Sequence, residues 1–571
     1  MHAPYQRTGE QAPATAPFPE DPTAATRHLC AAAYLDEDFR AAALREVYLQ
    51  PHRAIAPSYG FHLVSVLSHC LRARSVAIWR DAAILATFLI MLCAATDAVL
   101  TVVFLLTGFH ALVATIRLAR DLMGGVRAGT SVDLNTLATQ SVLLAMLWGA
   151  AGTALTLGYA ISAYQNLDSI NAATASGDLS SLENLDMGPG WFAVLATALL
   201  LFGFSIAWGL WVQYELDGLG PGRTPSIPRI TARLQEIDGQ GRGNTVVYSG
   251  FRPYVGAGDL VSTWGFAQRL VRPQPDEMAE ALVGSYRAPE ELHRRQTEGE
   301  REFEHAPFSA AELIAQLRAH LTALTFYGNR NAAGPEDLLA TMTVTDQVSL
   351  AGTEVARPTS TLPPEVVAGV IRFPTTPARH HLACQVVSWG GELVTTVNVH
   401  VAVQGRSLYL EVTTTALWPT ADPYRVVSSI DGTGPVAWWR ALRSAVANTP
   451  ATVGRAPGNL FRAAVDAVFG AGRGPLRRGL DYGARVGVRE LGTRADGGRN
   501  LTQYQDVGKY QRLIERRVLA AVLDFLDSRG VDTTEYSNRV TNLNVGGSVY
   551  GGSQNNYHNT VGRDANNRSR S

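Results

Sequence analysis

Lysine is all but absent from this chain. Lys509 is the single lysine among 49 basic residues in 571 positions, so nearly every positive charge is an arginine. Together with abundant Ala and Gly, that bias reflects GC-rich coding and carries no functional signal. Cysteine is scarce too. Cys30, Cys70, Cys93 and Cys384 are scattered and no two form a CxxC pair, which argues against a zinc knuckle or a disulfide framework. The formal net charge is −1, so no global field draws the chain to nucleic acid. Residues 1–24 are rich in Pro and Ala and lack the apolar core of a signal peptide. They read as a disordered tail, and the first apolar stretch must itself direct insertion.

Catalytic signatures are missing as well. There is no HExxH and no GxSxG elbow. Lys509 follows Gly508, but the upstream glycine spacing and the following Ser/Thr of a P-loop are absent. Val255-Gly256-Ala257-Gly258-Asp259 is a lone glycine loop. A phosphate cradle must open directly into a helix, whereas a strand-like segment follows here, so an ordinary turn is the better reading. Glu300, Glu302, Glu304 and His305 carry cation-binding groups, yet Arg294, Arg295 and Arg301 neutralise the run, which reads as a solvated helix. His380 and His381 open a strand, where alternation sends the two rings to opposite faces and argues against a shared metal. No catalytic residue, cofactor or metal is assigned.

What is present is oil. Ala82–Leu118 is almost wholly apolar. As one helix it would reach about 55 Å, against a hydrocarbon core of about 30 Å. It would also bury Asp97 in lipid, at about 2.5–3.5 kcal/mol. A hairpin over residues 76–118 solves both: Val76–Ala95 enters, Thr96-Asp97 turns, and Ala98–Leu118 returns. Two more spans follow, Ser141–Ala163 and residues 191–214. The first has Ala150, Ala154, Gly158 and Ser162 at intervals of four. That stripe fits close packing against a neighbouring span of the same chain, or a dimer face. The last has Trp191 at one end and Trp208, Trp211 and Tyr214 at the other, as belts at two interfaces.

Charge orients these spans. The loop 164–190 has no Lys or Arg but has Asp168, Asp178, Glu183 and Asp186. The flanks with Arg72, Arg74 and Arg80, with Arg117, Arg120 and Arg127, and with Arg223 and Arg229 are basic. The positive-inside rule puts the loop outside and the flanks inside. The expected fold is thus an α-helical membrane region of four transmembrane segments, the first two a hairpin, plus a soluble α+β domain. Both termini are cytoplasmic and the location is the inner membrane. Residues 25–75 read as a cytoplasmic helical cap, 215–243 as a Gly/Pro-rich linker, and 244–535 as the α+β domain. Within it His381–Trp389, Leu393–Val403 and Arg406–Leu417 form an antiparallel meander. Val397, Val399, Val401 and Val403 alternate with Asn398, His400 and Ala402, giving one buried and one wetter face. Tyr510–Arg529 reads as a closing helix.

Pro435–Arg478 interleaves aromatic anchors with arginines. Trp438, Trp439, Arg440, Arg443, Arg455, Phe461, Arg462, Arg477 and Arg478 make it a candidate membrane-surface element, each Arg contributing about 1 kcal/mol at an anionic leaflet. The competing reading has these helices covering the buried face of the meander.

The segment Arg27–Leu63 ahead of an apolar hairpin, with the phrase Phe251–Asp259 (FRPYVGAGD), resembles a group of uncharacterised actinobacterial multi-pass membrane proteins. That resemblance implies location and architecture and brings no catalytic residues with it. Residues 536–571 read as a disordered Asn/Gly-rich tail. Their Val-Gly-Gly and Asn-rich pattern also resembles the short amyloid-signalling motifs of bacterial effectors. The leading functional expectation is a non-enzymatic membrane protein presenting a cytoplasmic binding or scaffold domain. Its partners would be the lipid bilayer, with anionic headgroups, a homo-oligomer and an unnamed protein as further candidates. The alternatives are an effector or signalling protein with a self-assembling tail, and a membrane-tethered enzyme of unrecognised type.

Overall fold

The computed structural model of the chain describes residues 21–94, 96–128, 134–165, 191–227, 230–274, 298–325, 341–355, 357–469, 479–493 and 500–546, with residues 167, 171 and 339. In chain order its helices are α1 (Ala24–Leu35), α2 (Glu37–Ala43), α3 (Leu63–Ala94), α4 (Thr96–Ala128), α5 (Leu134–Gln165), α6 (Trp191–Asp217) and α7 (Ala232–Gly241). The domain adds α8 (Ala310–Thr322), α9 (Pro364–Arg372), α10 (Gly434–Phe469), α11 (Leu501–Ser528) and α12 (Thr534–Gly546).

Among the described residues three helices are long and apolar enough to cross a membrane, Leu63–Ala94, Ala98–Arg120 and Phe192–Asp217, and the fourth expected span, Ser141–Ala163, is not one of them. α3 ends at Ala94 and α4 begins at Thr96, so Thr96 and Asp97, expected as the hairpin turn, open α4 instead, and Ile84 shares an apolar cluster with Ala98, Val102 and Leu106. α5 packs along α4, with Ala151 buried and Ala154 half-buried, while Val142, Leu143, Met146 and Leu157 stay exposed. Of the small-residue stripe, Ala154 is half-buried and Ala150 is exposed, and the buried Ala151 lies beside the stripe. The acidic loop lies mostly outside the described residues.

The sheet has six strands in the order β1-β3-β4-β5-β6-β2: β1 (Thr245–Tyr248), β2 (Asp259–Arg269), β3 (Met342–Ala351), β4 (Arg379–Ser388), β5 (Leu393–Gln404) and β6 (Ser407–Leu417). The expected antiparallel meander is β4-β5-β6. β2 and β3 extend it in antiparallel sense, and β1 joins β3 in parallel, so the sheet is mixed. Val397, Val399 and Val401 face Leu382, Cys384, Leu410, Val412 and the helices α8 and α11 in the main core. Ser309 and Glu312 cap α8 reciprocally, satisfying its first amides.

The other sheet face is polar, as the alternation indicated, but it is not wet. Thr396, Asn398, His400, Thr413 and Thr415 are all buried, as is His381. Alternation reports side-chain polarity, whereas exposure depends on what lies across the face. Here the connector between α2 and α3 crosses it. The Tyr59 hydroxyl accepts a hydrogen bond from Gln347 Nε2 at 2.6 Å, and Gly60, at φ +73°, presses its backbone on Val394 and Gly391.

A second core joins the membrane-type helices to the domain. Leu29, Ala32, Phe39 and Leu44 of the helical cap pack with Leu63, Val66, Leu67 and Cys70 of α3. Leu216 and Leu219 at the end of α6, Leu234 and Ile237 of α7, and Tyr424, Val427 and Val488 of the domain complete it. The short helical pattern expected at Ile230–Ile237 within the linker is α7, and it packs into this core. α3 is one unbroken rod: its first turns belong to the core, and its later ones expose Leu89, Ile90 and Leu92.

The start of the tail also differs from expectation. α12 runs from Thr534, and Tyr536 is fully buried against Phe266, with its hydroxyl donating to the Leu519 carbonyl at 2.9 Å. One apolar ring filling the main core orders a segment whose composition looks disordered. Residues 547–571, which hold most of the amyloid-like pattern, lie outside the described residues.

Candidate functional site

The chemistry-bearing side chains converge where the cap meets the sheet. The β4–β5 turn carries Trp389, Gly390, Gly391 and Glu392. Both glycines have positive φ, and a Cβ at either would collide with backbone, from Asp21 and from Gly60 respectively. That close approach delivers Glu392 to α1. Its Oε1 takes hydrogen bonds from His28 Nδ1 at 2.6 Å and Thr420 Oγ1 at 2.8 Å. Its Oε2 takes them from the Thr420 amide at 2.8 Å and Arg425 Nη2 at 3.1 Å. Arg489, 1% exposed, donates to the Glu392 carbonyl at 2.6 Å. Burial pushes this carboxyl up, but the His28 hydrogen bond and the charges of Arg489, His28 and Arg425 outweigh it and hold it well below the ordinary carboxylate range. A carboxylate with both oxygens doubly engaged is a clamp, since no lone pair is left to take a proton from a substrate.

The glycine loop is a second clamp. Gly256 and Gly258, at φ +86° and +88°, turn their amides onto Glu490 Oε1 at 2.7 and 3.2 Å, and the Gly487 amide meets Glu490 Oε2 at 2.9 Å. The amides that would cradle a phosphate are filled from within by the chain's own carboxylate. The ordinary-turn reading holds, and the ligand-loop alternative is displaced.

Along the polar face Tyr254, His381, His400 and the exposed Tyr409 form a row of rings in T-shaped and tilted contact. Their ring centroids lie 5.7 Å apart for Tyr254 and His381, 5.5 Å for His381 and His400, and 6.2 Å for His400 and Tyr409. His400 Nδ1 donates to the His380 carbonyl at 2.8 Å, which fixes its tautomer. Burial, with the neighbouring His400, His380 and Arg379, lowers the His381 imidazole to about 3, so it is neutral at physiological pH. Asn398, 2% exposed, has neither end of its amide paired, and His381 Nδ1 and Thr415 Oγ1 are also without partners. His380 points the other way, to Asp346 at 2.8 Å, so the two adjacent rings part as alternation requires. Glu302 pairs with Arg269 and Arg406, each at 3.0 Å, and no group of three metal-ligating side chains occurs among the described residues.

The aromatic and basic residues singled out for the membrane surface sit on α10. This helix does not cover the meander; it packs against α6, α3 and α4. Trp439, Arg440, Arg443, Arg455, Phe461 and Arg462 are exposed, whereas Trp438 is half-buried and its Nε1 donates to Asp217 Oδ2 at 3.0 Å. Arg477 and Arg478 lie outside the described residues. Sequence reading missed Glu392, Glu490 and Asp81. The turn Gly390-Gly391 was the available signal for the first. Asp81, midway along α3, is buried and paired with Arg80 at 2.6 Å, and that adjacent pair beside an apolar run was its signal.

Residues 263–558, just over half of the chain, match the family described as the AbeC-like domain. No curated protein and no solved structure matches the chain.

Proposed function

The chain belongs to the AbeC-like domain family, and from that premise we propose that it is a non-enzymatic, multi-pass inner-membrane protein that mounts this domain rigidly on the cytoplasmic leaflet. Four segments cross the bilayer, both termini stay in the cytoplasm, and residues 164–190 face outward. The domain acts as a binding or scaffold module for a protein partner. Trp439, Arg440, Arg443, Arg455, Phe461 and Arg462 contact the leaflet, with arginines on anionic headgroups.

The observation that carries this reading is the shared core. Leu63–Cys70 of α3 pack with Tyr424, Val427 and Val488 of the domain, and the same rod continues into an apolar, outward-facing stretch. A flexible tether would leave the domain free to tumble, whereas a common core fixes its distance and angle to the bilayer. Both charged clamps reinforce the mounting, since each ties the sheet or its loops to the cap or its neighbours. Fusing topology reporters after residue 60 and residue 240 tests the arrangement. Both should report the cytoplasm, and reporters on opposite faces would overturn it.

A further inference from the structure

Helix α10 does not pass its neighbours in a single direction. It begins at the foot of α6, where Trp438 bonds Asp217 and Gln213 Nε2 donates to the Gly432 carbonyl at 3.1 Å. Seven residues further on, Ala445 lies against Gly209, eight residues back along α6. The far half follows α3 instead. Asn459 Nδ2 donates to Asp81 Oδ2 and Arg74 Nη2 to Asp466 Oδ2, both at 3.1 Å, so seven steps forward along α10 are seven steps back along α3. α3 and α6 are themselves antiparallel: Arg72 pairs with Glu215 at 2.6 Å, and the Arg80 guanidinium lies 4.7 Å over the Trp208 ring. α10 therefore climbs one helix and descends the other. Its summit falls in the stretch that holds Pro450 and Pro457, each of which removes a helix hydrogen bond and permits a bend. There Val453 and Ala456 share a cluster with Ile84 and Leu201.

We propose that α10 is a re-entrant arch that wedges into the cytoplasmic leaflet alone, with lipid as its partner; this rests on the four-span reading above. The depth follows from α6. Trp191 and Trp211 are twenty residues apart, about 30 Å, which is one hydrocarbon core. Leu201 is halfway, so the summit lies about 15 Å deep. On the limbs the exposed Phe461 lies at the level of the belt, and Trp439 and Val468 lie at its cytoplasmic edge. Arg440, Arg443 and Arg462 come within about a turn of the Trp208–Tyr214 belt, at phosphate level. Arg455 near the summit carries a stem long enough to return its charge toward the headgroups. Asp81, 1% exposed, is neutralised by Arg80 at 2.6 Å and bonded by Asn459, which lets a carboxylate sit at the inner edge of the core. Two helical limbs in one leaflet and none in the other give the protein a larger cross-section on its cytoplasmic side. It then gathers where that leaflet is convex, as leaflet-inserted helices do.

Spin labels in full-length protein in anionic nanodiscs test the arch. In a Cys93→Ser background, labels go at Arg440→Cys, Arg462→Cys, Gly454→Cys and, as a second summit position, Ala451→Cys. Leu199→Cys reports α6. Both summit labels should be at least about tenfold less accessible to a nickel chelate than those at 440 and 462, with oxygen access as high as at 199. Nickel access at the summit equal to that at 440, with 199 shielded, overturns the arch and leaves the spans standing. An aqueous 199 overturns the spanning reading itself. Protein reconstituted with the domain outside should be enriched several-fold in tubes pulled outward from vesicles, and equal density in tube and vesicle removes the wedge.

Discussion

The imidazole of His28 lies 2.6 Å from the carboxylate of Glu392, across 364 positions of chain, and both side chains are buried. This contact binds α1 to the turn between the two central strands. Replacing Glu392 by Ala strips the buried Thr420 amide, Arg425 and His28 Nδ1 of their shared acceptor, which costs about 3–5 kcal/mol, whereas His28→Ala removes one of several donors and costs about 1–3 kcal/mol. Denaturant unfolding of the detergent-solubilised protein should show that loss. Because the folded Glu392 carboxyl is held below its ordinary range, its contribution is complete above about pH 4.3 and declines as pH falls below that.

The His381 ring predicts a second acid effect in a different window. Its folded value of about 3 lies below the unfolded value of about 6.5, so the unfolded chain binds the extra proton between them. Stability should therefore fall as pH drops from about 6.5 toward 3, at up to about 1.4 kcal/mol per pH unit. His381→Asn should flatten that slope. A slope unchanged by the substitution would place the titrating group elsewhere.

These groups mark the limit of what residue patterns disclose. Period-two alternation placed β4, β5 and β6 within about two residues at each end, because one face is uniformly aliphatic. It failed on the opposite face, since burial there comes from Tyr59 and the connector, hundreds of residues away in sequence. β3 escaped notice because Thr343, Thr345, Asp346 and Gln347 hide a strand inside a polar run. The clamps at Glu392 and Glu490 depend on partners that no local window contains. The apolar helices were the most legible part, being long and uninterrupted, whereas the course of α10 along α6 and then α3 rests on contacts that its two prolines permit but do not specify.

Glu490→Ala should strip the Gly256, Gly258 and Gly487 amides of their acceptor, at a cost of about 1–3 kcal/mol. Added phosphate should restore part of that loss by filling the vacated nest, read as a rise in melting temperature of the variant and none in the parent.

Leu67→Ala tests the common core. Leu67 is fully buried on α3, so the truncation should cost about 2–5 kcal/mol. The loss should appear in the unfolding of the domain, followed by the fluorescence of Trp418, 6% exposed beside Leu393 and Val507. A domain transition indifferent to Leu67 would mean the two parts melt independently.

Truncation separates the two parts of the C-terminal region. Ending the chain after residue 546 should leave the melting temperature unchanged. Ending it after residue 530 removes Val531 and Tyr536 from the main core and should lower stability by about 3 kcal/mol or more.

The roof over the sheet has a bearing on biosynthesis. Leu29 and Phe39 emerge from the ribosome long before Tyr424 and Val488, the residues that close over them, and the oily helices emerge in between. The amino-terminal helices must wait, half-partnered, until those late residues have been made. Native assembly then finishes backward, when late strands dock beneath early helices, so a ribosome stalled after α6 would hold a nascent chain in need of a chaperone.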